Sequence, residues 1–521
     1  MKVLGLDSST QSLSATLIDT ERREVLREAA VHFDRNLSGY GTTNGVFRAG
    51  DAGQVHAPPM MWLDAMDLLF TRLQSDGVNL GEIAAISGSG QQHGSVYLNA
   101  DAEARLAGLD PSRTLADQLK PCLSRETSPV WMDSSTSGQC QEITAAFGGA
   151  ASMAEATGST TFERFTGPQI RKFHQEDPDA YGATAHIALV SSFMASVLAG
   201  RIAPIDYGDG AGMNLMEIRR RNWHPAALEA TAPGLGERLP PLVAPWTDLG
   251  PVCGYFTAKY GFDDGTRVIA WSGDNPNSVI GVGLVEAGQV AISLGTSDTY
   301  FGTMASCRTD PQGEGHVFGS PTGDYMTLIC FLNGSLARER VRDAHGLDWD
   351  GFSSALRSTP PGNDGKMMLP WFEPEIVPRV TVPGVRRRNL KEADGPGNCR
   401  AVVEAQMISM RIHSEWMGVQ PTRVFATGGA SANRELLQVM ANVFGCPVYR
   451  SDVANSAALG AALRAAHGVF ESSGNPVPWA EIVKGFTDPV GDFTLTPDPS
   501  TRMLYDDRVD AQRVFERDSL R

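Results

Sequence analysis

The stretch WSGDNPNSVIGVGLVEAGQVAISLGTSDTY, residues 271–300, decides the fold of this chain. It follows a β-branched run typical of a strand, and Asp274 then lies on a loop ahead of a segment that fits a short helix. After a glycine-punctuated connection, residues 289–294 form a second predicted strand that ends in small and hydroxyl residues. Backbone N–H groups at such a turn can hold a polyphosphate. One half of the stretch therefore predicts a proton acceptor, Asp274, and the other half a phosphate-binding turn of Gly295, Thr296 and Ser297.

Length and composition predict a globular protein with two domains. A chain of 521 residues with 42% hydrophobic and 20% charged residues is too long for one ordinary hydrophobic core. The glycine-punctuated connection at 283–288 is the predicted junction. We therefore expect an N-terminal domain over 1–283 and a C-terminal domain over 284–521.

Charge and cysteine usage narrow the partners and the compartment. A formal net charge of -16 argues against a surface for nucleic acid or anionic lipid, because such surfaces need clustered Lys and Arg. Seven cysteines without CxxC spacing indicate free thiols in a reducing compartment. The sequence contains no recognisable secretory signal and no apolar run long enough to span a bilayer. We therefore expect a cytoplasmic protein with small-molecule partners, no nucleic acid and no membrane; the sequence leaves a homodimer open.

The opening of the chain resembles the central stretch. VLGLDSSTQSLSATLI, residues 3–18, and VAISLGTSDTYFGT, residues 290–303, both predict a hairpin with a polar turn. This repeat indicates a duplicated domain with the two turns facing one cleft. Asp7 stands where Gly295 stands in the second copy, so Asp7 can orient a metal-bound phosphate, while the second turn can only donate hydrogen bonds. Thr10 and Gln11 complete the polar turn of the first hairpin.

Three polar segments predict groups that can bind sugar hydroxyls. His93 lies in the Gly-rich loop SGSGQQHG after the buried strand 83–86, where open α/β sheets bind ligands. Trp131 can pack on the C–H face of a sugar and Asp133 can accept hydrogen bonds, although a buried Trp with an N-cap Asp fits equally well. Arg164 lies beside aromatic residues and could also form a surface ion pair. For the two acids of PIDYGDG, residues 204–210, loop geometry is favoured over chemistry.

A second candidate ligand loop lies near the end of the chain. The predicted strand RVFAT, residues 423–427, is followed by GGASAN and then by an amphipathic helix. A strand, a glycine pair and a helix N-terminus together are typical of a seat for an anion or a nucleotide. The candidate residues here are Gly428, Gly429 and Asn433.

These parts fit phosphoryl transfer. The chain has no GxxxxGK[ST], HExxH, GxSxG or paired CxxC motif, which removes P-loop enzymes, zinc proteases and the usual serine hydrolases. Phosphoryl transfer depends on positioning and charge neutralisation. Asp274 would take the proton from the attacking hydroxyl, Asp7 would help position Mg²⁺, and the two turns would hold the transferring phosphate.

Five motifs, in this order, resemble the FGGY family of carbohydrate kinases, and within it the longer, eukaryotic-style xylulose kinases. They are DSSTQ (7–11), GQQHG (90–94), GDN (273–275), SLGTS (293–297) and TGGAS (427–431). The similarity continues through VWMDSST, ERFTG, PIDYGDGAGMNL and NSAALGAA, so it spans nearly the whole chain. Gln92 replaces the Met usual in bacterial relatives, and Ser134 and Ser135 follow Asp133 where an Arg is common nearby, so the fine substrate preference stays open.

The resemblance implies an α/β fold with two actin-like, ribonuclease H-like domains and a ligand cleft between them. It implies that ATP phosphorylates D-xylulose at its terminal C5 hydroxyl, with the sugar and the base in the N-terminal domain and the nucleotide in the C-terminal domain. Asp274 would be the general base, with His93, Arg164, Asp274 and Asn275 on the sugar. Trp349, Gly428, Gly429 and Asn433 would contact the nucleotide.

The sequence leaves two other functions open. A kinase for ribulose, glycerol or gluconate would use the same parts, because sugar stereochemistry is set by the shape of the pocket. A non-catalytic actin-like ATPase or sugar sensor would use the two turns to clamp a nucleotide, but it would have no need of a base such as Asp274 or of a shell of groups like His93.

Overall fold

The computed structural model describes residues 1–48, 52–451, 455–489, 491 and 493–520. The chain forms two compact α/β units. The first comprises Met1–Val285, Val317–Tyr325 and Ala454–Thr487, and the second comprises Glu286–His316, Met326–Val453 and Asp488–Arg521. The chain thus returns to the first unit twice after residue 286. The sequence predicted a single boundary at 283/284 and did not predict these two returns. Residues 49–51 of the long polar loop 34–53 lie outside the described residues.

A seven-stranded sheet forms the centre of the first unit. Strand β1 pairs antiparallel with β2 and parallel with β4, and the order along the sheet is β5-β6-β4-β1-β2-β3, with β7 also paired to β4. The strands are β1 (Lys2–Ser8), β2 (Ser12–Asp19), β3 (Glu24–His32), β4 (Ile83–Gly90), β5 (Asp248–Pro251), β6 (Arg267–Ile269) and β7 (Ser272–Gly273).

A second seven-stranded sheet repeats this plan. Its first strand, β8, pairs antiparallel with β9 and parallel with β12, as β1 does with β2 and β4, so the predicted duplication is confirmed. The order is β10-β11-β9-β8-β12-β13-β14. The strands are β8 (Gln289–Leu294), β9 (Asp298–Met304), β10 (His316–Gly319), β11 (Tyr325–Phe331), β12 (Arg423–Thr427), β13 (Val448–Arg450) and β14 (Thr494–Leu495).

The helices in the described residues include ten that are each longer than seven residues or carry a candidate site residue. In chain order they are α1 (Pro59–Ser75), α2 (Thr166–Glu176), α3 (Tyr207–Ala211), α4 (Asp274–Gly281), α5 (Ser335–Ala344), α6 (Trp349–Ser358), α7 (Gly395–His413), α8 (Arg434–Phe444), α9 (Ser456–Ser472) and α10 (Arg502–Ser519). None of the helices in the described part of the chain combines the length and the apolar character needed to cross a bilayer.

Helix α1 confirms the periodicity read from the sequence. Its predicted apolar face is buried in the core of the first unit, and each large side chain there contributes about 1.5 to 3 kcal/mol through removal of apolar surface from water. The face consists of Trp62, Ala65, Met66, Leu69, Phe70 and Leu73.

Strand β4 is longer than predicted. The sequence indicated a strand over 83–86 followed by a Gly-rich loop, but pairing with β1 continues to Gly90, which lies opposite Ser8. The glycines are needed because buried side chains and backbone press on the strand. A Cβ on Gly88 would lie 2.1 Å from Cδ2 of Trp271, and one on Gly90 would lie 2.5 Å from the Ser191 nitrogen. The ligand loop therefore begins at Gln91.

Candidate active site

Asp274 is the first residue of α4, directly after strand β7. Its Oδ1 accepts hydrogen bonds from the backbone N–H groups of Gln92 at 3.3 Å and Asn275 at 2.9 Å. The carboxylate is partly buried, and burial raises its pKa to about 6 despite these N–H donors. A carboxylate with that pKa is mostly ionised at neutral pH and is basic enough to accept a proton from a hydroxyl.

Burial, and in addition the charge of Asp274, raise the pKa of two nearby carboxyl groups, those of Asp7 and Asp209. Burial raises the pKa of Asp7 to about 7, and repulsion by Asp274 adds to the rise. Burial also raises the pKa of Asp209 well above its usual range, with contributions from Asp206 and Asp274. The Asp209 carboxylate accepts a hydrogen bond from Ser191 Oγ. The structure therefore places Asp209 beside the candidate base, although the sequence favoured a loop-forming role for it.

His93 is a neutral imidazole in the loop that follows β4. Its Nδ1 lies 2.8 Å from the carbonyl oxygen of Gly212; a carbonyl only accepts, so Nδ1 carries the proton and Nε2 keeps its lone pair. Burial and the nearby Arg164 guanidinium lower the pKa of His93 to about 3. The ring packs against Phe165 at 4.7 Å and Phe318 at 6.4 Å between centroids. His93 can thus accept a hydrogen bond from a sugar hydroxyl at any physiological pH.

Amide groups beside Asp274 have unused hydrogen-bonding capacity. Asn275 Nδ2 donates to Gln92 Oε1 at 2.8 Å. This hydrogen bond does not use the other polar atom of each amide, Asn275 Oδ1 and Gln92 Nε2. Within the part of the chain that the structure describes, Gln92 Nε2, both amide atoms of Gln91 and Oδ1 of Asp209 are enclosed without a hydrogen-bond partner. Buried polar groups in native proteins are rarely left unpaired. Their concentration around Asp274 indicates a site for a polar ligand.

Arg164 and Trp131 take different positions at this site. The Arg164 guanidinium lies over the ring of Phe162 at 5.2 Å and lowers the pKa of His93, so its charge is near the imidazole. The Trp131 side chain is 44% exposed, and its Nε1 donates to Thr10 Oγ1 at 2.9 Å. Trp131 is therefore available for stacking and is joined to the β1–β2 turn, whose next residue, Gln11, is exposed.

Asp133 anchors a loop. Its carboxylate accepts hydrogen bonds from the backbone N–H of Val55 and from Ser135 and Gln169, and its side chain is fully enclosed. Burial acts to raise the pKa of Asp133, but hydrogen bonds, including one from His56, outweigh it and hold the pKa well below its usual range. The sequence predicted that Asp133 accepts hydrogen bonds from sugar hydroxyls, but its carboxylate oxygens are not exposed. Trp131 is not buried either, so the alternative of a buried Trp is also wrong.

Asp7 fits the role of a protein ligand for magnesium. Its Oδ1 is enclosed and makes no hydrogen bond of ordinary geometry within the described ranges. The residues that the structure describes contain no group of three or more His, Cys, Asp or Glu side chains arranged to hold an ion. Magnesium is commonly held by one or two carboxylates together with water and substrate phosphates. A single carboxylate such as Asp7 suits an ion that arrives with a nucleotide.

The second unit contains a cavity of about 870 Å³, within the range of small-molecule sites. The β8–β9 turn, helix α6 and the loop that starts α8 form its walls. Five of the residues predicted to bind the nucleotide lie on these walls: Gly295, Thr296, Trp349, Gly429 and Asn433. Ser297 and Gly428 adjoin wall residues without lining the cavity.

The β8–β9 turn is held in place from behind. Arg338 makes a paired contact with the buried Asp298, at 2.7 Å and 2.9 Å, and the N–H of Ser335 donates to the carbonyl of Gly295 at 2.9 Å. Gly428 has a φ of 81°, and a Cβ there would lie 2.7 Å from the carbonyl oxygen of Leu294. A non-glycine residue would therefore separate the turn from the loop before α8.

Trp349 and Asn433 both line the cavity. Trp349 is 41% exposed, so its indole offers a flat surface for a planar base. The Arg342 guanidinium lies 4.4 Å from the centre of the ring. Asn433 caps α8 by accepting from the N–H of Leu436 at 3.1 Å, and it donates to Ser353 Oγ at 3.0 Å.

Several residues of the cavity walls were not predicted from the sequence. The walls also include Ser353 and three arginines, Arg338, Arg357 and Arg434. Trp349, Ser353 and Arg357 recur at a spacing of four along α6, so helical periodicity could have placed them on one face. Arg338 gives no such signal, because its role depends on Asp298 from a distant part of the chain.

Comparison with known proteins identifies the family. A model of the N-terminal domain of the FGGY family of carbohydrate kinases matches residues 120–281, and a model of its C-terminal domain matches residues 290–469. Xylulose kinase from Rattus norvegicus is 43% identical over 513 residues, which cover 96% of this chain and 94% of that protein. Xylulose kinase 2 from Arabidopsis thaliana is 44% identical over 505 residues, which cover 92% and 90%.

The fold is similar to that of solved kinases. The crystal structure of xylulose kinase from Rhodospirillum rubrum matches with a TM-score of 0.82 and 20% identity, covering 99% of this chain and 98% of that one. At that identity the likeness supports the fold alone. The two domain models and the relatives that match along nearly the full length agree with the order of the motifs and with the duplicated sheets. The chain therefore belongs to the FGGY family of carbohydrate kinases.

Proposed function

We propose that this protein transfers the γ-phosphate of ATP to the C5 hydroxyl of D-xylulose and so produces D-xylulose 5-phosphate. The observation that carries the chemistry is the Asp274 carboxylate, held by backbone N–H donors and surrounded by polar groups without partners among the described residues. The choice of sugar is supported by relatives named xylulose kinase that are 43% and 44% identical over most of the chain.

The sugar would bind in the N-terminal domain. His93 Nε2 accepts a hydrogen bond from one hydroxyl, and Asn275 and Arg164 bind others. Asp274 accepts the proton of the C5 hydroxyl as the hydroxyl oxygen attacks the γ-phosphorus, the bond from that phosphorus to the bridging oxygen breaks, and ADP leaves. With a pKa of about 6, most of the base is ready at neutral pH. Trp131 covers a C–H face of the sugar, and Asp133 acts through the loop that it holds.

The nucleotide would bind in the C-terminal domain. Its base lies against Trp349, its phosphates approach Gly295, Thr296 and Ser297, and Gly428, Gly429 and Asn433 line the path at the N-terminus of α8. Asp7 would hold magnesium, which would supply charge neutralisation at the phosphates, and the adjoining Thr10 and Gln11 would contribute polar contacts. Because all seven cysteines are free, we place the protein in the reducing cytoplasm.

A screen of acceptors tests this proposal. ATP consumption is followed by a coupled assay with D-xylulose, D-ribulose, glycerol and gluconate, and NMR locates the phosphate on the product. We expect D-xylulose to give a kcat/KM at least about tenfold above that of the other acceptors, as discrimination by well-placed hydroxyl contacts allows. A different preferred acceptor would refute the choice of sugar. ATP hydrolysis without any phosphorylated product would refute the kinase.

A further inference from the structure

We propose that Arg464 is a positioning residue for the transfer: with Asp206 it fixes the segment 270–277 in the conformation that presents the Asp274 carboxylate to its substrate. The inference rests on the proposed function, in which Asp274 is the base. It adds a residue from helix α9, far along the chain from the base, to the machinery of the reaction.

The guanidinium of Arg464 binds both ends of the segment that carries Asp274. Its Nη2 donates to the carbonyl of Ala270 at 2.9 Å, and its Nη1 donates to Asn277 Oδ1 at 3.1 Å. Asn277 in turn donates through Nδ2 to the carbonyl of Gly273 at 2.8 Å. The residue immediately before the base is therefore connected to Arg464 through one side chain.

Asp206 closes the network from the other side. Its Oδ2 lies 3.3 Å from Nη2 of Arg464, and its Oδ1 accepts from Ser272 Oγ at 2.9 Å. Oδ1 also accepts from the N–H of Asp209 at 2.9 Å and so caps helix α3. Asp206 thus joins Arg464 to β7 and to the helix that carries the acid beside the base.

Ahead of α4, the segment has one short piece of regular structure, the two-residue strand β7. Between β6 and α4 only Ser272 and Gly273 pair with another strand, opposite Ser89 and Gly90. The direction of the first turn of α4, and hence of the Asp274 carboxylate, depends on the hydrogen bonds of the network. Misplacement of a reacting group by about 1 Å can reduce the rate about a hundredfold.

The position of Arg464 is itself closely determined. The side chain is 1% exposed, and it forms a buried ion pair with Asp206, so its removal would leave the Asp206 charge buried without its partner. Helix α9 also lies against α4 at backbone contact. A Cβ on Gly460 would be 1.9 Å from the carbonyl oxygen of Asn277, and one on Gly281 would be 1.8 Å from that of Ser456. The backbone that carries Arg464 is therefore packed closely against the helix that begins with the base.

Steady-state kinetics of Arg464→Met and Arg464→Lys, with D-xylulose and ATP varied separately, test the proposal. We expect Arg464→Met to lower kcat at least about tenfold while both KM values stay within about threefold, because binding groups remain and the base is misdirected. We expect Arg464→Lys to recover most of this loss, since an ammonium keeps the charge beside Asp206 and up to three donors.

Arg508→Met is the matched control. Arg508 is a buried arginine of α10 that donates to the carbonyl of Lys366 at 2.7 Å and contacts neither candidate site. Its loss should lower the melting temperature, as the loss of Arg464 does, and leave kcat within about twofold of wild type. If Arg464→Met does not fold, Arg464→Lys and Asp206→Asn provide the same comparison, with the larger fall in kcat expected for Asp206→Asn.

The outcomes separate this inference from the proposed function. A wild-type protein that leaves D-xylulose unphosphorylated refutes the proposed function. If wild type is active and Asp274→Asn is not, a kcat within about twofold of wild type in the folded Arg464→Met and Asp206→Asn variants overturns the inference alone. A loss that appears only in KM also overturns it.

Discussion

Burial raises the pKa of Asp274, and the charge of Asp274 acts in turn on the acids near it. Its pKa of about 6 and that of Asp7 at about 7 both lie above the usual range because of burial, and Asp7 is also repelled by Asp274. Two carboxyl groups that interact in this way lose their protons in steps that belong to the pair. The base thus becomes available over the pH range just below neutrality.

The pH dependence of kcat/KM for the sugar should show this titration. We expect an acidic limb with a midpoint between about 6 and about 7, and activity lost as pH falls through it, because a protonated carboxyl cannot accept the proton of the hydroxyl. Initial rates between pH 5 and pH 8.5 at constant ionic strength provide the measurement. Activity that stays constant down to pH 5 would show that no such group is required.

The same shift predicts that Asp274→Asn stabilises the protein at pH 8. The folded-state pKa of Asp274 is raised from 3.8 to about 6, so between those values the folded state binds more protons than the unfolded state and stability falls as pH rises. Above about pH 6 the full cost is present, roughly 2 to 3 kcal/mol for such a shift. The Asn variant should therefore have a higher urea midpoint at pH 8 and a similar one at pH 4.

Asp264→Asn is the control for that measurement, because Asp264 is exposed on a loop. Its urea midpoint should equal that of wild type at both values of pH. The difference in urea midpoint between Asp274→Asn and wild type is measured at both values of pH. If the variant gains less at pH 8 than at pH 4, the raised pKa of Asp274 is contradicted.

Single residues were predictable where a local motif carries them. Asp274 follows a strand and starts a helix, and His93 follows a buried strand, so both could be found from the sequence. Asp209 and Arg464 could not, because their importance depends on burial beside residues from distant parts of the chain. Asp133 shows the opposite error: its motif fits a sugar ligand, but its oxygens are used by the loop.

Helix α9 and helix α4 meet through glycines. Gly460 faces the Asn277 carbonyl and Gly281 faces the Ser456 carbonyl, each too close to admit a methyl group. This close approach lets α9 pack against both α4 and β1, which explains why the segment that begins near residue 454 joins the first unit.

Gly460→Ala should therefore disturb both stability and catalysis. Its Cβ would lie 1.9 Å from the Asn277 oxygen, so the helices must separate, at a cost of about 1 to 3 kcal/mol. Since Asn277 belongs to the helix that begins with Asp274, we also expect a lower kcat. Thermal unfolding and steady-state kinetics measure the two effects.

Gly138→Ala is the matched control, because Gly138 lies in the helix Ser137–Ala146 and a Cβ there meets nothing within 4 Å. Alanine should stabilise that helix by about 0.4 to 1 kcal/mol and leave kcat unchanged. Equal behaviour of the two variants would contradict the close contact of α9 with α4.

Elements with strong periodicity or distinctive turns were predictable. The two hairpins, helix α1, and the loop that leads into α8 all appear where their patterns indicated. The end of β4 was not predictable from Gly88 and Gly90, because glycine is typical of loops and only the packing of Trp271 and Ser191 shows why a strand needs it here.

The whole chain combines a net charge of -16 with sites for anionic ligands. The cavity of the second unit supplies local positive charge in place of a general positive field, because Arg338, Arg357 and Arg434 lie on its walls. The duplicated sheet order was predictable from the repeat near residues 3–18 and 290–303. The return of residues 454–487 to the first unit was not, because local sequence carries no information on which unit a late helix packs against.

The central claim is that the Asp274 carboxylate takes the proton from the sugar, and binding and transfer measured on Asp274→Asn test it most directly. Asparagine keeps the size and the Oδ1 acceptor that Gln92 and Asn275 use. Calorimetry should therefore give dissociation constants for D-xylulose and ATP within about threefold of wild type, while kcat falls by about a hundredfold or more. Turnover near that of wild type, with binding intact, would show that Asp274 is not the base.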